Sequence, residues 1–191
     1  MRNAVLLLIA CVMPFALALQ VQAADTVSGA HKKGPQELSQ ALFAMGCFWK
    51  SQYVFEKVPG VVKTTVGYSG GNVANPSYEK VCTHTTGHAE TVKVEYDPSK
   101  VTYRKLLEVF FSKHDPTTVD RQGPDVGNNY RSAIFYTTPE QKEEALAYKR
   151  ELEQSHRFSG PIVTQIEPAG RFYKAEDYHQ EYYQRTGQVC F

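Results

Sequence analysis

The stretch Ala41-Leu42-Phe43-Ala44-Met45-Gly46-Cys47-Phe48-Trp49-Lys50, with its continuation to Ser69-Gly70-Gly71, decides the fold. Ala41 to Met45 is a short apolar run that reads as a strand, and Gly46 breaks it. From Cys47 to Val58 the apolar positions Phe48, Val54, Phe55 and Val58, with Trp49 and Tyr53, fit one broad face of a helix. Pro59-Gly60 stops that helix. Val62, Thr64, Val66 and Tyr68 then alternate with more polar or small partners, the period of a strand, which ends at Ser69-Gly70-Gly71.

The rest of the chain repeats this alternation. A loop rich in Asn, Pro and Gly carries Asn75-Pro76-Ser77-Tyr78 and then Cys82. Val92, Val94 and Tyr96 alternate with Thr91, Lys93 and Glu95, which predicts a half-buried strand. Tyr103, Leu106, Leu107, Phe110 and Phe111 recur at helical spacing and give the clearest amphipathic helix in the chain. Residues 115–131 form a long polar loop of the kind that usually carries function or is disordered. Ser132 to Thr137 reads as a strand. Thr138-Pro139-Glu140-Gln141 starts a helix running to about His156, with a capping Thr and Pro at the first helical position. Ile162 to Ile166 is expected as a final strand, and Lys174 to about Arg185 as a last helix or helical turn. The pattern predicts an α+β fold: a two-layer, ferredoxin-like domain with helices packed on one mixed sheet and an irregular C-terminal tail.

The 191 residues are 42% hydrophobic, with 21 basic against 20 acidic side chains, an ordinary water-soluble composition for one domain. So balanced a charge argues against nucleic acid as a partner and against a polybasic membrane patch. The N-terminus is a separate matter. Arg2 is the only charge in the first 24 residues, Ala4 to Leu19 is almost purely apolar, and Val21-Gln22-Ala23 offers small residues for cleavage. Residues 1–23 therefore read as a secretory signal peptide, 24–40 as a flexible leader and 41–191 as the working domain, periplasmic or secreted. The apolar run is too short for a comfortable membrane span, so no stable insertion is expected after cleavage. A lipoprotein box ending at Cys11 is the rival reading, disfavoured because the apolar run continues past it. Without Cys11 the mature chain carries Cys47, Cys82 and Cys190, an odd number for an exported protein, so at least one thiol is free or reactive.

Three segments can carry chemistry. Cys47, at a strand-to-helix junction, is expected in the first helical turn, where unpaired N–H groups and the helix dipole favour a thiolate and Lys50 could add positive charge. The alternative is a small buried hydrophobe. Phe48 and Trp49 read as core or as apolar surface beside the sulfur. In the second segment, Cys82, His84 and His88 lack a second ligand pair, so no metal is expected and Cys82 reads as an inert buried thiol. Glu90, at the start of a strand, is either a solvated carboxylate or, if enclosed by aromatics, an acid with a raised pKa able to donate a proton near neutrality. In the third, Gly123 to Ser132, Asp125 and Tyr130 could hydrogen-bond a polar ligand, the bland alternative being an Asx turn.

Together these segments resemble the A class of peptide methionine sulfoxide reductases. The resemblance rests on Gly46-Cys47-Phe48-Trp49, Asn75-Pro76-Ser77-Tyr78, Thr86-Gly87-His88-Ala89-Glu90, the block Gly123 to Ser132, and Ala175 to Gln180, and it spans about residues 41 to 190. It implies that Cys47 attacks a sulfoxide sulfur, that Phe48 and Trp49 cradle the methyl group, and that Glu90 protonates the oxygen while Tyr78 and Tyr130 hydrogen-bond it. Asp125 would help organise the pocket. The resulting Cys47 sulfenic acid would condense with Cys190 and be recycled by a thioredoxin-like reductant, without a cofactor or metal. Oxidised proteins or peptides are the implied substrates, and a monomer is expected. Lys50 replaces the Gly common in the family, and Pro124, Asn128 and Asn129 depart from its usual third block, so Asp125 is a less secure transfer than Glu90. Many relatives continue into a tail with a further cysteine, whereas here Cys190 is expected to serve alone. Two other functions compete. A thiol peroxidase or disulfide oxidoreductase lacks support without a Cys-x-x-Cys pair. An exported peptide-binding module would survive alkylation of Cys47, which an enzyme would not.

Overall fold

The computed structural model describes residues 37–188, so the expected signal peptide, most of the leader, Cys11 and Cys190 lie outside the described residues. The chain runs β1 (Ser39–Met45), α1 (Phe48–Glu56), β2 (Val61–Ser69), α2 (Tyr78–Val81), β3 (Ala89–Tyr96) and α3 (Tyr103–Ser112). A small hairpin follows, β4 (Arg121–Gln122) and β5 (Asp125–Val126), then β6 (Ser132–Tyr136), α4 (Pro139–Gln154), β7 (Gln165–Pro168), β8 (Tyr173–Lys174) and α5 (Tyr182–Thr186). Six strands form one mixed sheet in the order β7-β6-β1-β3-β2-β8. Its centre, β6-β1-β3-β2, is antiparallel throughout. With α1 linking β1 to β2 and α3 linking β3 to β6, this is the expected ferredoxin-like arrangement. The connection through α4 then adds β7 parallel to β6. Among the described residues no helix is long and apolar enough to cross a membrane.

Local chemistry explains the strongest elements. Thr102 accepts a hydrogen bond from the Lys105 N–H to cap α3, whose five apolar positions are all buried. Thr138 does the same for Gln141 at α4, with Pro139 at its start. The sheet's period of two places Ala41, Phe43 and Met45 of β1 and Val92, Val94 and Tyr96 of β3 in the main core, and Phe43 pairs opposite Val92. The Phe43 ring stacks on Phe55 of α1 at 4.9 Å and on Phe110 of α3 at 5.3 Å, so one strand residue ties both helices to the sheet. Truncating so enclosed a ring costs about 3–5 kcal/mol. The opposite face carries only a small cluster, Leu42, Ala44, Ala89, Ala133 and Phe135 under Ala169 and Phe172.

Several boundaries differ from the sequence reading. β1 begins at Ser39, inside the expected leader, because Ser39 and Gln40 pair with Tyr96 and Glu95. The final strand lies at Gln165–Pro168 rather than 162–166: Val163 instead donates its N–H to the Pro116 carbonyl at 2.9 Å. The tail is not one helix. Tyr173 and Lys174 pair with Tyr68 and Gly67, and the Gln180 side-chain amide bridges both backbone groups of Val66 at 3.0 Å, so the segment follows the edge of β2. Glu181 then turns through a left-handed conformation, φ 52°, before α5 begins.

Candidate active site

Gly46 lets the chain leave β1 abruptly. Its φ of +91° suits glycine, and a Cβ there would come within 2.6 Å of the Gln122 side chain. The turn delivers Cys47 to the cap position of α1, one residue before the helix, rather than into its first turn. The backbone N–H groups of Trp49 and Lys50 lower the Cys47 pKa, as the helix-end reading expected. Burial opposes them and wins, and with the charge of Glu90 it pushes the thiol up to about 12. The helix-end preference for a thiolate is therefore outweighed, and the thiol form is favoured at neutral pH. Lys50 acts on it through its backbone N–H, and its ammonium does not offset the burial.

Glu90 is the second residue of β3 and lies opposite Tyr68 in the sheet register. The strand period that buries Val92 and Val94 turns Glu90 to the same face, and it is only 2% exposed. Its Oε2 accepts the Phe48 N–H at 3.0 Å, satisfying one of the orphan donors of α1. Burial outweighs that bond and raises its pKa to about 8, so the carboxyl is mostly protonated at neutral pH. Glu90 is therefore enclosed and not a solvated strand-edge carboxylate.

The other candidates gather around this acid. The Glu90 charge raises the pKa of Cys47, Tyr78, Tyr130 and Cys82 alike, which marks it as their shared neighbour. Tyr130 is pushed up to about 12, chiefly by burial, and Tyr78 is raised by burial and by its hydrogen bond to Cys82. Both phenols therefore keep their protons and can donate. Asp125 of β5 lines a cavity of about 340 Å³ with Cys47, Trp49, Pro124 and Tyr183, and its charge raises both Glu90 and Cys47. Cys82, expected to be buried, is instead only half-buried at the end of α2. Phe48 is buried against Tyr68 and His179, while Trp49 is half-buried and forms a wall of the cavity.

Sequence reading missed the residues that hold this wall in place. The Trp49 indole stacks on Tyr182 at 3.8 Å and donates its Nε1–H to His179 Nδ1 at 3.1 Å. His179 thus carries its own proton on Nε2, toward Glu176 at 4.0 Å. Glu176 accepts from the Tyr68 hydroxyl and the Tyr78 N–H, each at 2.9 Å, and so ties the tail to β2 and α2. Asn129 is fully buried, bonds His84 Nδ1 through its Oδ1 at 2.8 Å, and turns its amide toward Glu90. The block Ala175 to Gln180 was the available signal for Glu176 and His179; Asn129 was marked only as a departure from the usual third block. His84 and His88 are spent within the fold, His88 accepting the Gly71 N–H and facing the Val73 carbonyl.

Residues 39–190 match the family described as Peptide methionine sulfoxide reductase. A protein of Methanoculleus marisnigri named Peptide methionine sulfoxide reductase MsrA is 57% identical over 152 residues, 80% of this chain and 93% of its own length. The reduced form of Mxr1 from Saccharomyces cerevisiae superposes with a TM-score of 0.77 at 35% identity, over 82% of this chain and 90% of that one. Mxr1 in complex with Trx2 is similar over 81% and 91%, with a TM-score of 0.56 and 28% identity. Fold, site chemistry and sequence therefore agree: the chain belongs to the A class of peptide methionine sulfoxide reductases, a family of oxidoreductases.

Proposed function

We propose that this protein reduces methionine S-sulfoxide, free or in peptides, to methionine, with Cys47 as nucleophile and Glu90 as the acid. The observation that carries the reading is a buried carboxyl with a raised pKa, bonded to the first N–H of α1 and close enough to the thiol at the cap of that helix for its charge to raise the thiol's pKa. At pH 7 the raised pKa of each group favours its neutral form. The Cys47 sulfur bonds to the substrate sulfur while Glu90 gives its proton to the sulfoxide oxygen. The thiol proton returns to the carboxylate, the hydroxyl passes from the substrate sulfur to Cys47, and the bond between the two sulfurs breaks together with the substrate sulfur–oxygen bond to release the sulfide. Cys47 is oxidised by two electrons to the sulfenic acid and the sulfoxide is reduced by two to the sulfide. Tyr78 and Tyr130 donate to the oxygen, Phe48 and Trp49 seat the methyl group, and Asp125 shapes the pocket beside Cys47. One apolar seat and one oxygen site select one configuration at sulfur, and the resemblance to the A class implies that it is the S epimer.

Recycling in this reading uses Cys190, whose thiol attacks the sulfenic acid to give a disulfide and water. A thioredoxin-like dithiol then reduces the disulfide. The complex of the yeast relative with Trx2 supports such a donor. The segment 1–23 supports export, so the donor would itself be an exported protein. The test is to incubate the mature protein with dithiothreitol and each sulfoxide epimer of a blocked methionine. Reduction of the S epimer alone is expected; reduction of neither, or of both at equal rates, refutes the reading.

A further inference from the structure

A second cleft adjoins the Cys47 pocket. It encloses about 460 Å³ and is lined by Lys50, Tyr53 and Val54 of α1, Lys57 at its C-cap, and Ser112 and Lys113 at the end of α3. Lys50 belongs to both linings, so the two spaces share a wall. The three α1 residues and the cap residue stand at i, i+3, i+4 and i+7, one stripe that runs along the helix away from Cys47. None of the three lysines is in an ion pair among the described residues. Of the carboxylates close by in sequence, Glu56 accepts from Thr64, Glu108 pairs with Lys105 and Asp115 accepts from Thr117; Asp125 lines the Cys47 pocket with Lys50 but not the cleft. Lys57 Nζ sits 3.5 Å from the centre of the Tyr53 ring, which steadies the ammonium without neutralising it. Lys50 projects toward the same end of α3, where its charge lowers the His114 pKa.

We propose that this cleft is a substrate subsite for an acidic side chain of the oxidised peptide, lying two or three residues from the methionine sulfoxide held at Cys47. The reach follows from the geometry. From Cys47 to Tyr53 and Val54, the middle of the stripe, the helix rises about 10 Å at ~1.5 Å per residue, which an extended peptide covers in about three residues. Three like charges with no internal partner attract a carboxylate, and Tyr53 and Val54 supply an apolar floor for its methylenes. The subsite rests on the sulfoxide reductase reading above and adds a preference among its peptide substrates.

The experiment uses peptides of one length with Asp, Asn or Lys at the second or third position on either side of methionine sulfoxide, with blocked methionine sulfoxide as reference and dithiothreitol as reductant. Wild type is expected to favour Asp over Asn by about threefold to tenfold in kcat/KM at low salt in at least one register, the scale of a few exposed ion pairs. The gain should lie in KM and fade at high salt. The double variant Lys57→Gln, Lys113→Gln should lose most of that preference and keep the wild-type rate on blocked methionine sulfoxide. Equal kcat/KM for Asp and Asn peptides in every register overturns the subsite, as does a double variant that retains the preference. A double variant altered only in reduction by a protein donor likewise overturns it, by assigning the lysines to that donor. Failure of wild type on blocked methionine sulfoxide refutes the reductase reading itself, and the subsite falls with it.

Discussion

Replacing Glu90 by Gln leaves the shape of the side chain and its bond to the Phe48 N–H while removing the transferable proton and the ionisable charge. With a pKa of about 8, roughly nine-tenths of the wild-type carboxyl is protonated at pH 7. Losing that acid should slow sulfoxide reduction by about a hundredfold or more. The same shift predicts a stability effect. The unfolded carboxyl loses its proton near 4.5 and the folded one near 8, so between these values the unfolded state binds fewer protons. Stability contributed by the neutral buried acid is full below 4.5 and is lost as pH rises through 8. At ~1.4 kcal/mol per pKa unit the loss approaches about 5 kcal/mol, and Glu90→Gln does not suffer it. The first assay is formation of methionine in a single turnover across pH: wild type should decline above pH 8, and the variant should be slow and flat over that range. The second is urea unfolding from pH 5 to 9, read as the difference between wild type and variant so that other titrations cancel. A variant within tenfold of wild type at pH 7, or a stability difference that does not change with pH, would refute both the protonated state and the role of Glu90.

Cys47→Ser should fold and lose all turnover, because a hydroxyl oxygen is a far poorer nucleophile toward sulfur than a thiol and cannot be oxidised to a sulfenic acid; activity within tenfold of wild type would rule out Cys47 as the nucleophile. Cys190→Ser should still form about one methionine per enzyme without reductant but fail with a thioredoxin-like donor, and peptide maps of wild type after one turnover should show Cys47 joined to Cys190. A Cys47–Cys82 bridge would point to the other thiol. His114 is buried and neutral, bonded to the Phe110 carbonyl at 2.8 Å and the Ser132 hydroxyl at 2.7 Å, and burial lowers its pKa to about 4. Its contribution is present above pH 6.5 and is lost as pH falls through 4, by up to about 3 kcal/mol. His114→Gln should remove that dependence, and an unchanged slope of stability over this range would contradict the buried neutral imidazole.

The legible parts of the fold are those whose burial is written into their own periodicity. α3 carries its full apolar stripe in five residues, and β3 alternates cleanly, so each announces which face meets the core. The tail carries no such pattern. Its path is set by hydrogen bonds to the edge of β2, made by Tyr173, Lys174, Ala175 and the Gln180 amide, and a partner so distant in sequence leaves no local trace. Cys82 shows the same limit, since a cysteine at the end of a four-residue helix has no periodicity from which its exposure could be read.

Residue types and their order by themselves determined the α+β pattern, the junction that presents Cys47 and the family resemblance that named Glu90. Those properties reside in local periodicity, in turn chemistry and in side chains that carry reactive groups. Protonation states were decided only by the tertiary structure. The helix end favours a thiolate at Cys47 and supplies an N–H to Glu90, and both effects are local. Burial beneath α1 and the aromatic rings overrides them and leaves the two groups neutral. Desolvation depends on everything that packs around a group, from β2 to the tail, and no single stretch of sequence contains that sum.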